Sequence, residues 1–161
     1  MKFNEDMEKM FEYYQGPGGF LTSKAGDDVN TMSVAWGTVG WLWNKPVFMA
    51  FVRPQRYTNG IMERSDNFTI SVPYGTLSEE LITCGTKSGA DIDKSKVVSF
   101  IPAKSVDSPV VDGCDIYYEC NIIYRDRLDE CAIPEEIKRS NYPKADYHYV
   151  YFGEIVECYK K

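Results

Sequence analysis

The stretch PVFMAFVRPQRYTNG, from Pro46 to Gly60, joins an apolar run to a turn that carries two arginines, a proline and a threonine. Val47 to Val52 has the continuous apolar character of a strand that is buried on both faces. Pro54 lacks a backbone N–H and ends the strand, and Thr58 is suited to cap a helix that begins after it. The stretch therefore predicts a buried strand that leads into a turn rich in positive charge.

Positive charge in this turn contrasts with the chain as a whole, which has a formal net charge of −6. Guanidinium groups bind phosphate through paired hydrogen bonds, and the N-terminus of a helix favours negative charge. Arg53 and Arg56 therefore form a candidate anion site. Alternatively, both arginines pair with surface carboxylates such as Glu63 or Asp66, an arrangement that contributes little to stability.

The composition indicates an ordinary folded protein. The chain has 161 residues, enough for one hydrophobic core, and we expect a single domain over residues 1–161. Its 14% aromatic content favours strands. The excess of Asp and Glu over Lys and Arg argues against a nucleic-acid-binding surface, because phosphate backbones are bound mainly through clustered basic side chains.

Targeting and redox signals favour a soluble cytoplasmic protein. The N-terminal segment MKFNEDMEKMFEYY is acidic, unlike a signal peptide, and no run of about 18 apolar residues predicts a membrane span. The five cysteines include no C-x-x-C pair, which favours reduced thiols over a disulfide framework or a zinc site.

The first half of the chain predicts one helix and then a series of strands. Residues 5–14, EDMEKMFEYY, have apolar side chains at helical spacing, and QGPGG ends this N-terminal extension of residues 1–15. Four β-type segments follow and predict an antiparallel meander: GFLTSKAG (19–26), NTMSVAWGTVGWLW (30–43), PVFMAFV (46–52) and NFTISVPY (67–74).

Short helices are predicted between and after these strands. YTNGIMERS (57–65) has Thr58 as its cap, TLSEELITCG (76–85) has Thr76 or Ser78 as its cap and Gly85 as its end, and ADIDKSKVVSF (90–100) is a weaker third. Residues 111–128 and 145–159 return to strand patterns, with a helical turn and loop over residues 133–143. The whole pattern predicts a mainly β protein, a closed or nearly closed barrel with a few short helices.

Two further segments could contribute to a binding site. CGTKSGAD (84–91) combines glycines, hydroxyls and Lys87, and it is either an anion-binding nest or an ordinary loop after a helix; it lacks the spacing of a Walker A motif. DDVNTMSVAWGTVGWLWNKP (27–46) combines small hydroxyl residues with Trp36, Trp41 and Trp43. Small residues let a flat ligand approach a strand backbone, although we expect two of the three tryptophans to be core residues.

His148 is the only histidine of the chain. It could take part in acid–base chemistry or donate a hydrogen bond to a ligand, or it could be structural. The sequence around it offers no partner for a catalytic triad. One histidine and scattered cysteines lack metal-ligand spacing, so no metal site is predicted.

Together, five segments resemble the flavin reductase-like FMN-binding split-barrel family, and within it the flavoredoxin-like branch. They are NTMSVAWGTV, NKPVFMAFVRPQRYT, FTISVPYG, CGTKSGADIDK and DYHYVYFGEI, in that order, and they extend from about Asn30 to Glu154. The resemblance implies an antiparallel split β-barrel of Greek-key type that forms a homodimer and holds FMN near the subunit interface.

The resemblance also implies a set of cofactor contacts. The strand from Asn30 to Trp36 would lie beside the isoalloxazine ring of FMN, chiefly through backbone groups, and the turn after Val52 would hold the phosphate and ribityl end. The implied cofactor-binding residues are Thr31, Met32, Ser33, Val34, Ala35, Trp36, Arg53, Arg56, Tyr57 and Thr58, with Gly85, Thr86, Lys87 and Ser88 closing over the phosphate.

One departure from the family concerns the electron donor. Reductase members carry a Gly-Asp-His triplet five residues before a glycine, with the histidine near the nicotinamide. Here His148 keeps that spacing to Gly153, but Tyr147 separates it from Asp146. His148 is therefore the candidate catalytic residue, as a polar contact to nicotinamide. The departure weakens the expectation of NAD(P)H binding more than that of FMN binding.

Two main functions follow from the resemblance. One is an NAD(P)H-dependent, flavin reductase-type oxidoreductase. The other is an electron carrier that holds FMN tightly, has no nicotinamide site and exchanges electrons with a redox partner protein. A third alternative, a small barrel that binds another flat ligand or none, stays open. Neither nucleic acid nor a membrane is expected as a partner.

Overall fold

A computed structural model describes residues 2–4 and 6–161, and it is built mainly from antiparallel strands. The strands are β1 (Gly19–Ala25), β2 (Asp28–Val34), β3 (Gly37–Leu42), β4 (Lys45–Val52), β5 (Asn67–Val72), β6 (Phe100–Ile101), β7 (Val110–Val111), β8 (Ile116–Arg127) and β9 (Tyr149–Lys160). The helices are α1 (Met7–Tyr14), α2 (Tyr57–Met62), α3 (Ser78–Thr86) and α4 (Glu135–Asn141), and 3-10 turns occur at Lys94–Lys96 and Glu130–Ala132. The expected fold class, a mainly β split barrel with short helices, is confirmed.

Seven strands form one sheet in the order β2-β1-β5-β8-β9-β4-β3, and β6 pairs with β7 separately. The expected meander is wrong, because the segment predicted as one long strand over residues 30–43 is two strands at opposite edges of the sheet. The chain crosses between these edges at Ala35 and Trp36. The Phe51 N–H donates to the Trp36 carbonyl at 3.1 Å, which ties the crossing to β4 and brings the two edges together.

The three tryptophans correct another expectation, since none of them is a core residue. Trp36, Trp41 and Trp43 are 45%, 64% and 58% exposed. Trp41 lies on β3, which is at the edge of the sheet formed by the described strands. Trp43 forms the two-residue turn to β4 with Asn44, and both have positive φ. Such a turn matches the twist of a hairpin, and it directs these side chains away from the core.

The main core lies inside the curved sheet. Phe48, Phe68, Tyr118 and Tyr151, from four adjacent strands, are fully buried there. α1 covers this core with Met10 and Tyr14, which are among the apolar residues whose spacing predicted the helix. Glu5, the first residue of the predicted helix, lies outside the described residues. Within the described chain, no helix is long and apolar enough to span a bilayer.

The buried strand β4 is less enclosed than its sequence predicts. Val47, Phe48, Ala50 and Val52 are buried, but Met49 and Phe51 are half-buried. Phe51, near the end of β4, lines an open cavity.

The helix caps differ from those predicted. The N-cap of α2 is Arg56, and Thr58 is the second helical residue, while Ile61 and Met62 are buried as expected. The N-cap of α3 is Leu77, with φ 54°, because the hydroxyls of Thr76 and Ser78 donate to the preceding carbonyls of Pro73 and Gly75 instead.

Three further helical predictions have mixed outcomes. α3 continues through Gly85, which was expected to end it, to Thr86. The weak helix predicted over residues 90–100 is only the 3-10 turn at Lys94–Lys96. The helical turn predicted within residues 133–143 is confirmed as α4.

Candidate functional site

An open cavity of about 500 Å³ lies where β2 and β4 end, α2 begins and α3 ends. Its lining consists of Asn30, Met32, Ser33, Val34, Ala35, Trp36, Phe51, Arg53, Gln55, Arg56, Tyr57, Thr58, Thr86, Lys87, Ser88, Gly89, Lys94 and His148. All the site residues expected from the sequence are in this set except Thr31 and Gly85. The fold thus brings together three segments and a histidine that are far apart in the sequence.

Thr31 and Gly85 contact the cavity wall from behind. Thr31 is fully buried, and its hydroxyl donates to the Leu21 carbonyl at 3.2 Å. The Gly85 carbonyl accepts a hydrogen bond from Arg56 Nη1 at 2.6 Å. A Cβ atom at Gly85 would lie 2.2 Å from Ser33 Oγ, so glycine lets α3 approach β2 closely here.

Arg53 and Arg56 have different environments. Arg53 Nη1 forms an ion pair with Asp146 Oδ2 at 2.5 Å, and Nη2 donates to the Asn141 carbonyl at 2.9 Å. Arg56 makes no salt bridge to a carboxylate within the described residues. Burial and the neighbouring Arg53 charge lower the pKa of Arg56. An anion beside Arg56 would offset this repulsion.

The alternative in which both arginines pair with Glu63 or Asp66 is not what the structure shows. Arg53 pairs with Asp146, a carboxylate 93 positions further along the chain. Arg56 instead bonds to the backbone of α3.

Lys94 is a site residue that the sequence did not indicate. Its side chain is 4% exposed, and Nζ donates to the carbonyls of Thr31 at 2.7 Å and Cys84 at 2.8 Å. Burial, together with the charge of Arg56, lowers its pKa. The segment around Lys94 reads as a weak amphipathic helix, so nothing local in it signals a buried amine.

Four other lining residues were also missed. Asn30 donates from Nδ2 to Thr58 Oγ1 at 2.8 Å, which joins the start of the site strand to α2. Asn30 stood at the boundary of the predicted site strand, so its polar side chain on a strand was the available signal. Phe51, Gln55 and Gly89 complete the lining.

The lining has a clear electrostatic character. Among the described residues it includes four basic side chains, Arg53, Arg56, Lys87 and Lys94, and no carboxylate. This local excess of positive charge contrasts with the net charge of −6 of the whole chain. The cavity is therefore suited to an anion, and field lines from these charges converge where solvent is partly excluded.

His148 lies at another part of the cavity wall and is 6% exposed. Its Nδ1 is 2.8 Å from the Tyr142 hydroxyl, and the Trp36 ring covers it with centroids 4.8 Å apart. Burial, reinforced by the charge of Arg53, lowers the pKa of His148 to about 4. The imidazole is therefore neutral at neutral pH and acts as a hydrogen-bonding group rather than as a cation.

The arrangement suits an elongated ligand with an anionic end and a flat end. Arg56, Lys87 and the hydroxyls of Thr58 and Ser88 offer donors to an anion. The backbone of β2, together with Trp36 and Phe51, offers a surface for a planar ring system.

A family profile described as "Flavin reductase like domain" matches residues 11–161. Among solved structures, flavoredoxin from Methanosarcina acetivorans is 21% identical, with a TM-score of 0.70 over 89% of this chain and 67% of that chain. An FMN-binding protein from Thermus thermophilus is 21% identical, with a TM-score of 0.71 over 92% of this chain and 72% of that chain. An NADH:FAD oxidoreductase from Streptomyces globisporus is 14% identical, with a TM-score of 0.70 over 89% of this chain and 74% of that chain.

These structural likenesses show a shared fold. A curated relative, an uncharacterised protein from Pyrococcus abyssi, is 27% identical over 103 residues, which cover 63% of this chain. The match spans 59% of that relative, less than two thirds of its length.

Proposed function

Because the chain belongs to the flavin reductase-like family of flavin-binding redox proteins, we propose that it is an FMN-dependent oxidoreductase of the flavin reductase type. The observation that carries the proposal is the cavity that combines four basic side chains with an aromatic wall and, among the residues that the structure describes, no lining carboxylate. When bound, the flavin supplies the hydride and electron transfer chemistry, and the protein supplies orientation, charge and control of solvent access.

The phosphate of FMN would bind at Arg56, with Lys87 and the hydroxyls of Thr58 and Ser88. Arg56 is the strongest candidate because no carboxylate among the described residues neutralises it, whereas Arg53 already pairs with Asp146. α2 has only six residues, so its dipole is not part of the argument. The support lies in charge-assisted hydrogen bonds, which are the strong ones for phosphate.

The isoalloxazine ring would lie along the end of β2, beside Met32, Ser33, Val34 and Ala35. Small and half-buried positions there, such as Ser33 and Ala35, leave backbone groups accessible to a planar ligand. Trp36 would border the same surface. This placement agrees with the contacts that the family resemblance implies.

NAD(P)H is the proposed electron donor, and His148 the group that contacts its nicotinamide. A neutral imidazole can donate one hydrogen bond and needs no change of charge to do so. Because its pKa is lowered to about 4, it does not carry the second ring proton of an imidazolium at neutral pH. We therefore assign His148 to binding rather than to acid catalysis.

An electron carrier without a nicotinamide site is the second candidate. Two observations favour it: Asp146 already binds Arg53 and Gln55, and the Trp36 ring covers one face of His148. A redox partner protein would then replace the nicotinamide.

We also propose a single domain over residues 1–161 and a homodimer, for which the exposed aromatic side chains of Trp41 and Trp43 offer contact surface.

The phosphate assignment is tested by comparing FMN with riboflavin, which lacks the phosphate. We expect Arg56→Ala to weaken FMN binding by about 10- to 100-fold, because a charge-assisted hydrogen bond contributes about 1.5–3 kcal/mol. Riboflavin binding should change little. Fluorescence titration with Arg64→Ala as the matched control, an exposed arginine paired with Asp28, completes the test. Equal losses for both flavins would contradict the assignment, and no FMN binding by the wild-type protein would overturn the function.

The two candidate functions are separated by anaerobic mixing of the FMN-loaded protein with NADH or NADPH. Bleaching of the flavin absorbance within seconds supports a reductase. Absence of bleaching, with rapid reduction by a low-potential protein donor, supports the electron carrier.

A further inference from the structure

Tyr142 makes a contact with His148 that neither the sequence motifs nor the family assignment explains. Both side chains are 6% exposed, and the Tyr142 hydroxyl oxygen lies 2.8 Å from His148 Nδ1. Tyr142 follows α4, which belongs to the segment between β8 and β9. The contact therefore joins that segment to the cavity wall.

The direction of this hydrogen bond follows from counting donors and acceptors. If Nδ1 carried the ring proton and donated to Tyr142, the phenolic proton would have no acceptor among the described residues. A buried donor without a partner is costly. If Tyr142 donates to Nδ1 instead, both atoms of this hydrogen bond are satisfied and the ring proton is on Nε2. The remaining donor then belongs to His148, which lines the open cavity, and not to Tyr142, which is outside the lining.

A second contact restricts the imidazole ring, since the Trp36 ring lies against it with centroids 4.8 Å apart. The His148 carbonyl accepts a hydrogen bond from Leu128 N–H at 2.9 Å, which holds the backbone at this position. Since His148 lines the cavity and Nδ1 is occupied by Tyr142, Nε2 is the nitrogen left for a ligand.

We propose that Tyr142 is a positioning residue for this site: by donating its hydroxyl proton to His148 Nδ1, it holds the imidazole in the tautomer that presents an N–H donor at Nε2 to the cavity. The identity of the ligand atom that accepts this hydrogen bond rests on the proposed function. The tautomer itself does not.

The surrounding charges are consistent with a neutral, donating imidazole. Arg53 and Arg56 face His148 as cations, and Asp146 opposes them as an anion that is itself paired with Arg53. The pKa of Tyr142 is raised by burial, so its hydroxyl keeps its proton through the physiological range.

The tautomer can be measured directly because His148 is the only histidine in the chain. In a long-range ¹H–¹⁵N correlation spectrum of the ¹⁵N-labelled protein at neutral pH, we expect Nδ1 to resonate as an unprotonated nitrogen and Nε2 as a protonated one. A wild-type spectrum with Nδ1 protonated would overturn the proposal without the need for any variant.

Tyr142→Phe removes the hydroxyl and keeps the ring. We expect a mixture of tautomers and a rise of about one pH unit in the pKa of His148, since loss of the donor destabilises the neutral form. Tyr147→Phe is the matched control, because the Tyr147 ring packs at a tilt against Tyr142, with centroids 4.9 Å apart, but its hydroxyl is not the group that meets Nδ1. Unchanged tautomer and pKa in Tyr142→Phe would also refute the proposal.

The spectra are recorded with and without FMN, and FMN binding is titrated on the same samples. Failure to bind FMN would refute the proposed function and leave the tautomer assignment intact. A wrong tautomer with normal FMN binding would refute only the role of Tyr142.

Discussion

Burial and neighbouring charges decide what each polar side chain around the cavity can do. Arg53 and Arg56 are three positions apart and have the same chemistry, yet Arg53 is neutralised by Asp146 and Arg56 is not. Lys94 is buried with only carbonyl partners in the described structure. Among the basic residues, Arg56 and Lys94 are therefore the ones whose charge a bound anion would compensate most.

The low pKa of His148 predicts a specific dependence of stability on pH. The pKa falls from its ordinary 6.5 to about 4 in the folded protein. Between these values the unfolded chain binds a proton that the folded chain does not, so the free energy of unfolding decreases as pH falls through this window. In the wild-type protein, we expect His148 to lower the free energy of unfolding by on the order of 3 kcal/mol between pH 6.5 and 4. In His148→Asn this decrease should be absent.

Urea unfolding of both proteins across this range measures the effect, because the difference between the two curves cancels the titration of the carboxyl groups. Two stability curves that run parallel between pH 6.5 and 4 would show that His148 keeps an ordinary pKa.

At the scale of elements, α2 depends on contacts from three directions. Asn30 on β2 donates to Thr58, and the Tyr151 hydroxyl on β9 donates to Asn59 Oδ1 at 2.8 Å. Arg125 on β8 donates to carbonyls at the end of the helix. A helix of six residues has little stability of its own, so these contacts hold its residues at the cavity.

Arg125 on β8 holds the end of α2 through its guanidinium group. Its guanidinium donates to the carbonyls of Met62, Glu63 and Ser65, at 3.2, 2.8 and 2.9 Å. Since carbonyls at the end of a helix lack intrahelical donors, we expect Arg125→Met to destabilise the protein by about 1–3 kcal/mol and to accelerate hydrogen exchange in α2.

Hydrogen exchange resolved by peptide measures this change. Arg127→Met is the control, because Arg127 is on the same strand but donates to the Ala145 carbonyl. Equal exchange in α2 for both variants would contradict the role given to Arg125.

At the scale of the whole molecule, the split barrel depends on close approach between strands at its centre. A Cβ atom at Gly153 on β9 would lie 2.6 Å from the Cβ of Cys120 and from ring atoms of Phe68. The pairing of β8 with β9 is also irregular here, with register shifts at Glu119/Cys120 and Ile122/Tyr124. Such irregularities bend a sheet and increase its twist.

We expect Gly153→Ala to destabilise the protein by about 1–3 kcal/mol, because the methyl group overpacks a core that has no space for it. Gly40→Ala on β3 is the matched control, since no atom of the described residues lies within 4 Å of its added Cβ. Thermal and urea unfolding measure both. Equal stability of the two variants would contradict the prediction that close packing at Gly153 excludes a larger side chain.

Local patterns predicted many elements correctly and some boundaries incorrectly. The apolar spacing of Met10 and Tyr14 identified α1, and the run from Val47 to Val52 identified β4. The meander failed because strand patterns do not specify which strands become neighbours. Thr58 failed as a cap because its hydroxyl accepts a hydrogen bond from Asn30, a partner 28 positions away.

The sequence by itself determined the strand and helix segments, the family resemblance and the local turn that carries Arg53 and Arg56. Only the tertiary structure decided that Arg53 is paired with Asp146, that Lys94 lines the cavity and that Tyr142 meets His148. The physical reason is that periodicity, turn residues and charge clusters act over a few positions, whereas partners such as Thr31 and Lys94, 63 positions apart, meet only when the sheet curves. The stretch from Pro46 to Gly60 therefore predicts a positively charged site. Only the fold determines that Arg53 is paired with a carboxylate and that Arg56 is available to bind an anion.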